Sequence, residues 1–204
     1  MPVSPATYER VALEDQEGIW ELHCGQLIRK PDMTMEHNWV ARELAAELAD
    51  QLPRARYQVG QEFPVLRTPG GLRYRPDVAV IPKGLARLLR GSTALETYDE
   101  PLPLVVEVWS PSTGDYDVDQ KFAGYRERGD LEIWRIHPGD RVVLLLRRSG
   151  TGDGYEALGF TGTYRVAGGK VSAVEGNPFR GQLDGLSEDE LWIRLAQAVG
   201  RSGP

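Results

Sequence analysis

Apolar residues recur along the chain at two spacings, and the wider spacing predicts helices. Between Glu36 and Leu52 an apolar residue stands at every fourth position, which is typical of a helix that packs one face against a core. Thr34 precedes this segment as a candidate N-cap, and Pro53 ends it. A second amphipathic pattern covers 115–128 and ends at a glycine. Shorter helical patterns cover 7–13, 85–89 and 187–199.

The narrower spacing is alternation at every second position. It occurs in short apolar runs rich in β-branched residues, and these runs predict strands. One hairpin is predicted within 19–30, with its turn at Cys24 and Gly25, and a second antiparallel hairpin pairs 57–66 with 72–81. Further strands are predicted at 104–109, 131–136, 142–147, 155–160, 164–166 and 171–174. A helix, three strands, a helix and two strands in this order predict one α/β domain with a mixed sheet.

Glu107 is a charged residue inside the most apolar predicted strand, which runs from Leu104 to Trp109. A buried carboxylate without a partner costs several kcal/mol of folding free energy, so a cation, an ion-pair partner or a proton has to compensate it. The alternation of a strand places Val105, Glu107 and Trp109 on one face. The compensating group is therefore expected on that face.

Asp77 is a second acid on a predicted strand, directly after Pro76. Alternation places Arg75 and Ala79 on its face and Tyr74 on the opposite face. Two strand-borne acids that face one cavity suit a hard divalent cation, and Mg²⁺ is usually held by one or two carboxylates together with waters and phosphate. Such an ion lowers the pKa of a bound water and stabilises charge on a phosphoryl oxygen.

The residues alone leave a second interpretation of both acids open. Asp77 would then cap a turn or pair with Arg75, and Glu107 would pair with a nearby arginine.

Lys121 likewise has one functional and one structural interpretation. It lies at the edge of the apolar face of its helix, from which it could reach the cavity and hold the attacking water or offset phosphate charge. Alternatively it forms an i,i+4 pair with Asp117, worth a few tenths of a kcal/mol.

Composition narrows the class of protein. The 204 residues are enough for one domain. The net charge of −6, from 24 basic and 30 acidic residues, argues against a general nucleic-acid binder. The single cysteine, Cys24, excludes an intramolecular disulfide and a cysteine-based zinc site. No run approaches the ~18 apolar residues of a membrane span, so a cytoplasmic protein without membrane contact is expected.

Several motifs in order along the chain resemble one family. They are PDVAV from Pro76, VVEVWSPST from Val105, the spacing of Asp117, Lys121 and Tyr125, and GDLEIWRIHP from Gly129. Together they closely resemble the Uma2 family of restriction-endonuclease-like proteins, in the PD-(D/E)xK nuclease superfamily. The resemblance covers roughly residues 18 to 148 and includes the IWELHCGQLIRK segment and His37.

The resemblance implies a fold and a site. The fold is a restriction-endonuclease-like α/β core with a mixed sheet flanked by helices, extended by an N-terminal hairpin and C-terminal strands. The chain is then a single domain, with its core at about 18–148 and a C-terminal extension at about 149–204. Asp77 and Glu107 match the metal-binding acids, for Mg²⁺ or Mn²⁺, and Lys121 matches the third catalytic residue. Most of the superfamily has this lysine two residues after the second acid, where this chain has Trp109.

The implied activity is a metal-dependent endonuclease that hydrolyses phosphodiester bonds in DNA. A homodimer would supply the two sites that cutting both strands needs. The alternative is a catalytically inactive nuclease-fold module that binds nucleic acid or protein, which the acidic net charge favours. His37 either lines the site near Glu21 or is a structural histidine. Candidate phosphate contacts, or else ordinary solvated surface, are Arg54, Arg56, Arg73, Arg75, Arg126 and Arg128.

Overall fold

The computed structural model describes residues 2–15, 17–112, 114–138, 142–149, 154–159, 162–167 and 170–173. For 114–119, 142, 156–159, 162–167 and 170–173 it describes the backbone alone. The helix predicted at 187–199 lies outside the described residues.

The four described helices lie within two residues of their predicted bounds. They are α1 (Pro5–Glu14), α2 (Met35–Gln51), α3 (Lys83–Leu88) and α4 (Gly114–Arg128). The Thr34 side chain accepts a hydrogen bond from the backbone N–H of His37 at the start of α2, which confirms Thr34 as the N-cap. Gly129 follows α4 with φ +78°, a backbone conformation that glycine adopts without strain.

Within the described residues the strands form two mixed sheets, and each sheet has one parallel pair. The first five strands are β1 (Trp20–His23), β2 (Gln26–Arg29), β3 (Tyr57–Gly60), β4 (Val65–Arg67) and β5 (Arg73–Tyr74). The next four are β6 (Val78–Pro82), β7 (Thr97–Tyr98), β8 (Leu104–Val108) and β9 (Glu132–His137), followed by β10 (Val142–Arg148), β11 (Tyr155–Gly159), β12 (Gly162–Ala167) and β13 (Lys170–Ala173). The small sheet has the order β2-β1-β5-β4-β7, and the large sheet has the order β13-β12-β11-β10-β9-β8-β6-β3.

The central strands of the large sheet are covered on both faces. On one face Ala41 and Ala45 of α2 pack against apolar side chains of β6 and β8. On the other face Phe122 and Tyr125 of α4 pack against Val105 of β8, together with residues of the small sheet. Val105 lies in one core cluster, and Leu104, Val106 and Val108 lie in the other, so the predicted alternation of β8 is confirmed.

The predicted hairpin of 57–66 with 72–81 is divided between the two sheets. Its base, β3 and β6, pairs in the large sheet, and its tip, β4 and β5, pairs in the small sheet. Each arm is interrupted near a proline, Pro64 or Pro76, and a proline has no N–H to donate to a strand ladder. The prediction of two uninterrupted strands, 57–66 and 72–81, is therefore wrong.

The interruption also changes which side chains share a face. Tyr74 packs in the same core cluster as Ala79, although unbroken alternation places them on opposite faces. Asp77 follows the interruption and precedes β6, so it lies in the seam between the sheets. This position leaves its carboxylate accessible to groups from both sheets and from α2.

Gly124 allows α4 to approach the small sheet closely. A Cβ built on Gly124 would lie 2.8 Å from Tyr74 Cε2 and 3.1 Å from Thr68 Cγ2. Overpacking of this kind costs ~1–3 kcal/mol, against a gain of up to ~1 kcal/mol in helix propensity. We expect Gly124→Ala to lower the urea unfolding midpoint.

The matched control is Gly84→Ala in α3, where an added Cβ meets nothing within 4 Å. That variant is expected to be as stable as the wild type or slightly more stable. Equal or higher stability of Gly124→Ala would contradict the close approach.

Candidate active site

Six ionisable side chains from distant parts of the chain are buried in the seam between the two sheets. All six are at most 7% exposed: Glu21, Lys30, His37, Asp77, Glu107 and Lys121. The set includes the three residues that the sequence predicts, Asp77, Glu107 and Lys121. Burial of so many charged groups together is costly unless they compensate one another, so their mutual contacts decide what the site can do.

Asp77 is held by donors on both carboxylate oxygens. Its Oδ1 lies 2.7 Å from Lys30 Nζ. Its Oδ2 lies 3.0 Å from His37 Nε2 and accepts a 2.7 Å hydrogen bond from the backbone N–H of Val108. The guanidinium of Arg75, the alternative partner of Asp77, donates instead to two main-chain carbonyls of the loop that joins β3 to β4.

Glu107 and Lys121 face each other, as the metal-site interpretation requires. Lys121 Nζ lies 3.7 Å from Glu107 Oε2 and 3.0 Å from Glu21 Oε1. The hydroxyl of Tyr125 donates a 2.6 Å hydrogen bond to Glu107 Oε1. Lys121 and Tyr125 are four residues apart on α4, so one face of that helix presents both groups to the acid. The side chain of Asp117, the alternative partner of Lys121, lies outside the described part of the chain.

The two acids have opposite pKa shifts. Burial alone would raise the pKa of Asp77, but the charge of Lys30 and the hydrogen bond and charge of His37 outweigh it, and the pKa is lowered. Burial, the largest effect, raises the pKa of Glu107 to about 8, although Lys121 opposes it. In the metal-free protein the surroundings therefore favour the ionised form of Asp77 and the protonated form of Glu107, a difference that active-site acid pairs often show.

His37, Glu21 and Lys30 extend the predicted site. The Nε2 of His37 contacts Asp77, so this histidine lines the site and is also satisfied by hydrogen bonds. Glu21 orients Lys121 and accepts a 2.8 Å hydrogen bond from the backbone N–H of Arg75. Lys30 is not among the predicted site residues. Two signals point to it, the small number of lysines and its place at the end of the IWELHCGQLIRK segment, but its partner Asp77 is 47 residues away.

Three of the arginines considered for phosphate contacts are buried inside the fold. Arg73, Arg75 and Arg128 are 2%, 8% and 6% exposed. Arg128 pairs with Asp130 and donates to the main-chain carbonyls of residues 67, 98 and 100. These guanidinium groups therefore support the fold.

The donor set suits a hard divalent cation. Carboxylate oxygens are the protein ligands that Mg²⁺ and Mn²⁺ prefer, and Asp77, Glu107 and Glu21 supply them within one buried cluster. Within the described residues, no three His, Cys, Asp or Glu side chains form a ready-made metal cage. Two protein carboxylates completed by waters and phosphate are the usual arrangement for Mg²⁺, so the residues fit the ion.

The fold is shared with a solved structure. The crystal structure of a "putative nuclease belonging to DUF820" from Anabaena variabilis ATCC 29413 matches with a TM-score of 0.59 and 19% sequence identity. The match covers 92% of this chain and 97% of that chain. No curated protein matches the chain. In the described part of the chain, no helix combines the length and apolar character that crossing a membrane requires.

The family assignment comes from the sequence. The family model for Uma2, with the description "Putative restriction endonuclease", matches residues 5–171. This range extends beyond the segment over which the motifs were recognised, and it contains all six buried ionisable residues of the site. The chain therefore belongs to the Uma2 family.

Proposed function

We propose that the protein is a metal-dependent endonuclease that hydrolyses phosphodiester bonds in DNA with Mg²⁺ or Mn²⁺. Membership in the Uma2 family and the nuclease-like fold support a nuclease. The observation that carries the finer proposal is the convergence of Asp77, Glu107 and Lys121 in one buried cluster, with Lys121 Nζ 3.7 Å from the Glu107 carboxylate.

In this proposal Asp77 and Glu107 hold the ion. A divalent ion there would lower the pKa of a bound water and stabilise charge on the phosphoryl group. The Lys121 ammonium holds the attacking water beside Glu107 or offsets the charge that develops on the phosphate. Glu21 fixes the position of Lys121, and Tyr125 fixes one oxygen of Glu107. Ligand carboxylates that are themselves hydrogen-bonded keep their orientation, which supports a preorganised site.

The net charge sets an expectation for substrate affinity. A protein with six more acidic than basic residues gains little general attraction from the phosphate backbone. DNA binding is therefore expected to be weak. A homodimer and a cytoplasmic location complete the proposal, and size-exclusion chromatography with light scattering tests the first of these.

The test is cleavage of plasmid DNA, single-stranded DNA and RNA with Mg²⁺, with Mn²⁺ and with chelator. We expect wild-type cleavage of DNA that requires metal and is lost with chelator. In Asp77→Asn the rate should fall by at least about a hundredfold, because even groups that only hydrogen-bond to a metal ligand are worth ~10–100-fold. Asp50→Asn, an exposed acid near the end of α2, is the matched control and should cleave like the wild type.

Cleavage by Asp77→Asn at the wild-type rate, or cleavage undiminished by chelator, would contradict the metal-site proposal. Cleavage of RNA in preference to DNA would keep the site and change the substrate. The rival function is a binding module without catalysis, favoured by the burial of all six ionisable side chains and by the ion pairs of Lys30 with Asp77 and of Lys121 with Glu21. DNA binding by the folded protein with no cleavage in either metal would support that rival.

A further inference from the structure

Lys30 is a cation in contact with the predicted metal ligand. Its side chain is only 3% exposed, and its Nζ lies 2.7 Å from Asp77 Oδ1 and 3.1 Å from the main-chain carbonyl of Arg75. Its charge also interacts with Glu107, Glu21 and Lys121. The ammonium thus lies within the same group of acids that would bind a divalent ion.

The contacts of Asp77 leave one oxygen on which a metal and Lys30 would compete. Asp77 Oδ2 is held by two donors, the imidazole of His37 and the backbone N–H of Val108. Asp77 Oδ1 faces the Lys30 ammonium. A divalent cation that used Oδ1 would lie within a few Å of the ammonium, where two positive groups in a buried site repel each other strongly.

A second acid offers the ammonium another position. Glu62 Oε1 lies 3.8 Å from Lys30 Nζ, and the Glu62 side chain is 36% exposed at the edge of the site. Its backbone has φ +52° and is held by a hydrogen bond from its N–H to the carbonyl of Pro76 and by Arg75, which donates to its carbonyl. Lysine has a flexible four-carbon side chain, so a short movement toward Glu62 requires no change of the main chain.

We propose that Lys30 is the resident counter-ion of Asp77 and that a divalent cation binds only by displacing the Lys30 ammonium toward Glu62. This proposal rests on the proposed function, because it requires that the protein bind a divalent ion. Lys30 is then a positioning residue that sets metal affinity. Burial lowers the pKa of Lys30, but the charges of Asp77, Glu107 and Glu21 together outweigh it and the pKa is raised; with the lowered pKa of Asp77, this is consistent with a strong pair in the metal-free state.

The first test is calorimetric titration of the full chain with Mn²⁺. Lys30→Met, which keeps the length and removes the charge, should bind Mn²⁺ at least tenfold more tightly than the wild type. Glu62→Gln should bind severalfold more weakly, and the same change should have no effect in a Lys30→Met background, because Glu62 acts through Lys30. Lys83→Met, at the start of α3, is the control and should leave the affinity unchanged.

The second test measures the movement itself. The chain has four lysines, at positions 30, 83, 121 and 170. Mass spectrometry can therefore follow the acetylation rate of Lys30 by acetic anhydride, with Lys83 as internal reference. Saturation with Mg²⁺ should raise the rate at Lys30 severalfold, because the ammonium moves toward the exposed carboxylate of Glu62.

The outcomes separate this inference from the proposed function. If Lys30→Met binds Mn²⁺ no more tightly than a metal-binding wild type, or if Mg²⁺ leaves the Lys30 acetylation rate unchanged, the inference is overturned and the metal site stands. If neither protein binds Mn²⁺ at millimolar concentration, both fail. If only Lys30→Met binds, Lys30 blocks the site instead of moving aside, and the inference and the proposed metal dependence of the wild type both fail. Should Lys30→Met not fold, Glu62→Gln and the acetylation rate of the wild type decide the question.

Discussion

Replacing Glu107 with glutamine is expected to abolish metal-dependent cleavage while making the metal-free protein more stable at neutral and alkaline pH. Glu107 is 4% exposed, and burial raises its pKa from 4.5 to about 8. Glutamine has the same shape and no ionisable proton, and its carbonyl can still accept the hydrogen bond from Tyr125. The variant therefore resembles the protonated form of Glu107.

The sign of the pH dependence follows from proton binding. Between pH 4.5 and about 8 the unfolded chain has lost the Glu107 proton while the folded protein still holds it. The folded state then binds more protons than the unfolded state, so the contribution of Glu107 to stability falls as pH rises through this window and levels off above it. Glu107→Gln lacks this loss and should gain stability relative to the wild type, on the order of a few kcal/mol at pH 8 and above.

Urea unfolding in the presence of chelator, at pH 5, 7 and 8.5, measures this difference. The exposed residue Glu43 in α2 provides the control, and Glu43→Gln should show no pH-dependent difference from the wild type. A Glu107→Gln protein that is less stable than the wild type at all three values would show that the ionised carboxylate is well compensated by Lys121. Retained cleavage would remove Glu107 from the proposed metal ligands.

The second large effect is expected at Asp130, which pairs with Arg128. Asp130 is fully buried, and its Oδ2 lies 3.1 Å from Arg128 Nε. Its Oδ1 accepts a 2.7 Å hydrogen bond from the backbone N–H of Leu102. Asp130→Ala leaves the charge of Arg128 buried without its acid, and removal of one partner from a buried pair costs ~3–5 kcal/mol. The free energy of unfolding should fall by about this amount.

A surface pair in the same region provides the comparison. Arg67 and Asp99 also form an ion pair, but their side chains are 45% and 53% exposed. Asp99→Ala should therefore cost no more than ~1 kcal/mol. Urea unfolding of both variants tests the contrast, and similar losses in the two would show that burial does not set the strength of the Arg128–Asp130 pair.

Local patterns in the sequence predict the elements and much of the site. The apolar spacing of α2 and its cap at Thr34 depend on neighbours within one or two turns, and the structure confirms them. The anomaly of a carboxylate in the apolar strand β8 is also visible in the sequence, and its compensating groups, Lys121 and Tyr125, lie on the expected face. Features of this kind follow from residues close together along the chain.

The division of the hairpin between two sheets was not predicted, because it depends on long-range packing. Pro64 and Pro76 mark where strand pairing stops, but they do not show which sheet receives each half. The destination of Lys30 depends in turn on that division, since Asp77 lies at the interruption. A lysine at the end of a short strand has the same local sequence signal whether it points into a seam or into solvent.

The assembly of the charged cluster has a consequence for the order of folding. Asp77 is 47 residues from Lys30, 40 from His37 and 31 from Val108, so its contacts close long loops whose entropy cost comes before any stabilisation. A partly folded chain that buried some of these charges without their partners would be strongly penalised. We therefore expect the hairpin that carries Asp77, α2 and α4 to dock together, with mispaired arrangements of the seam disfavoured during folding by the buried charged groups.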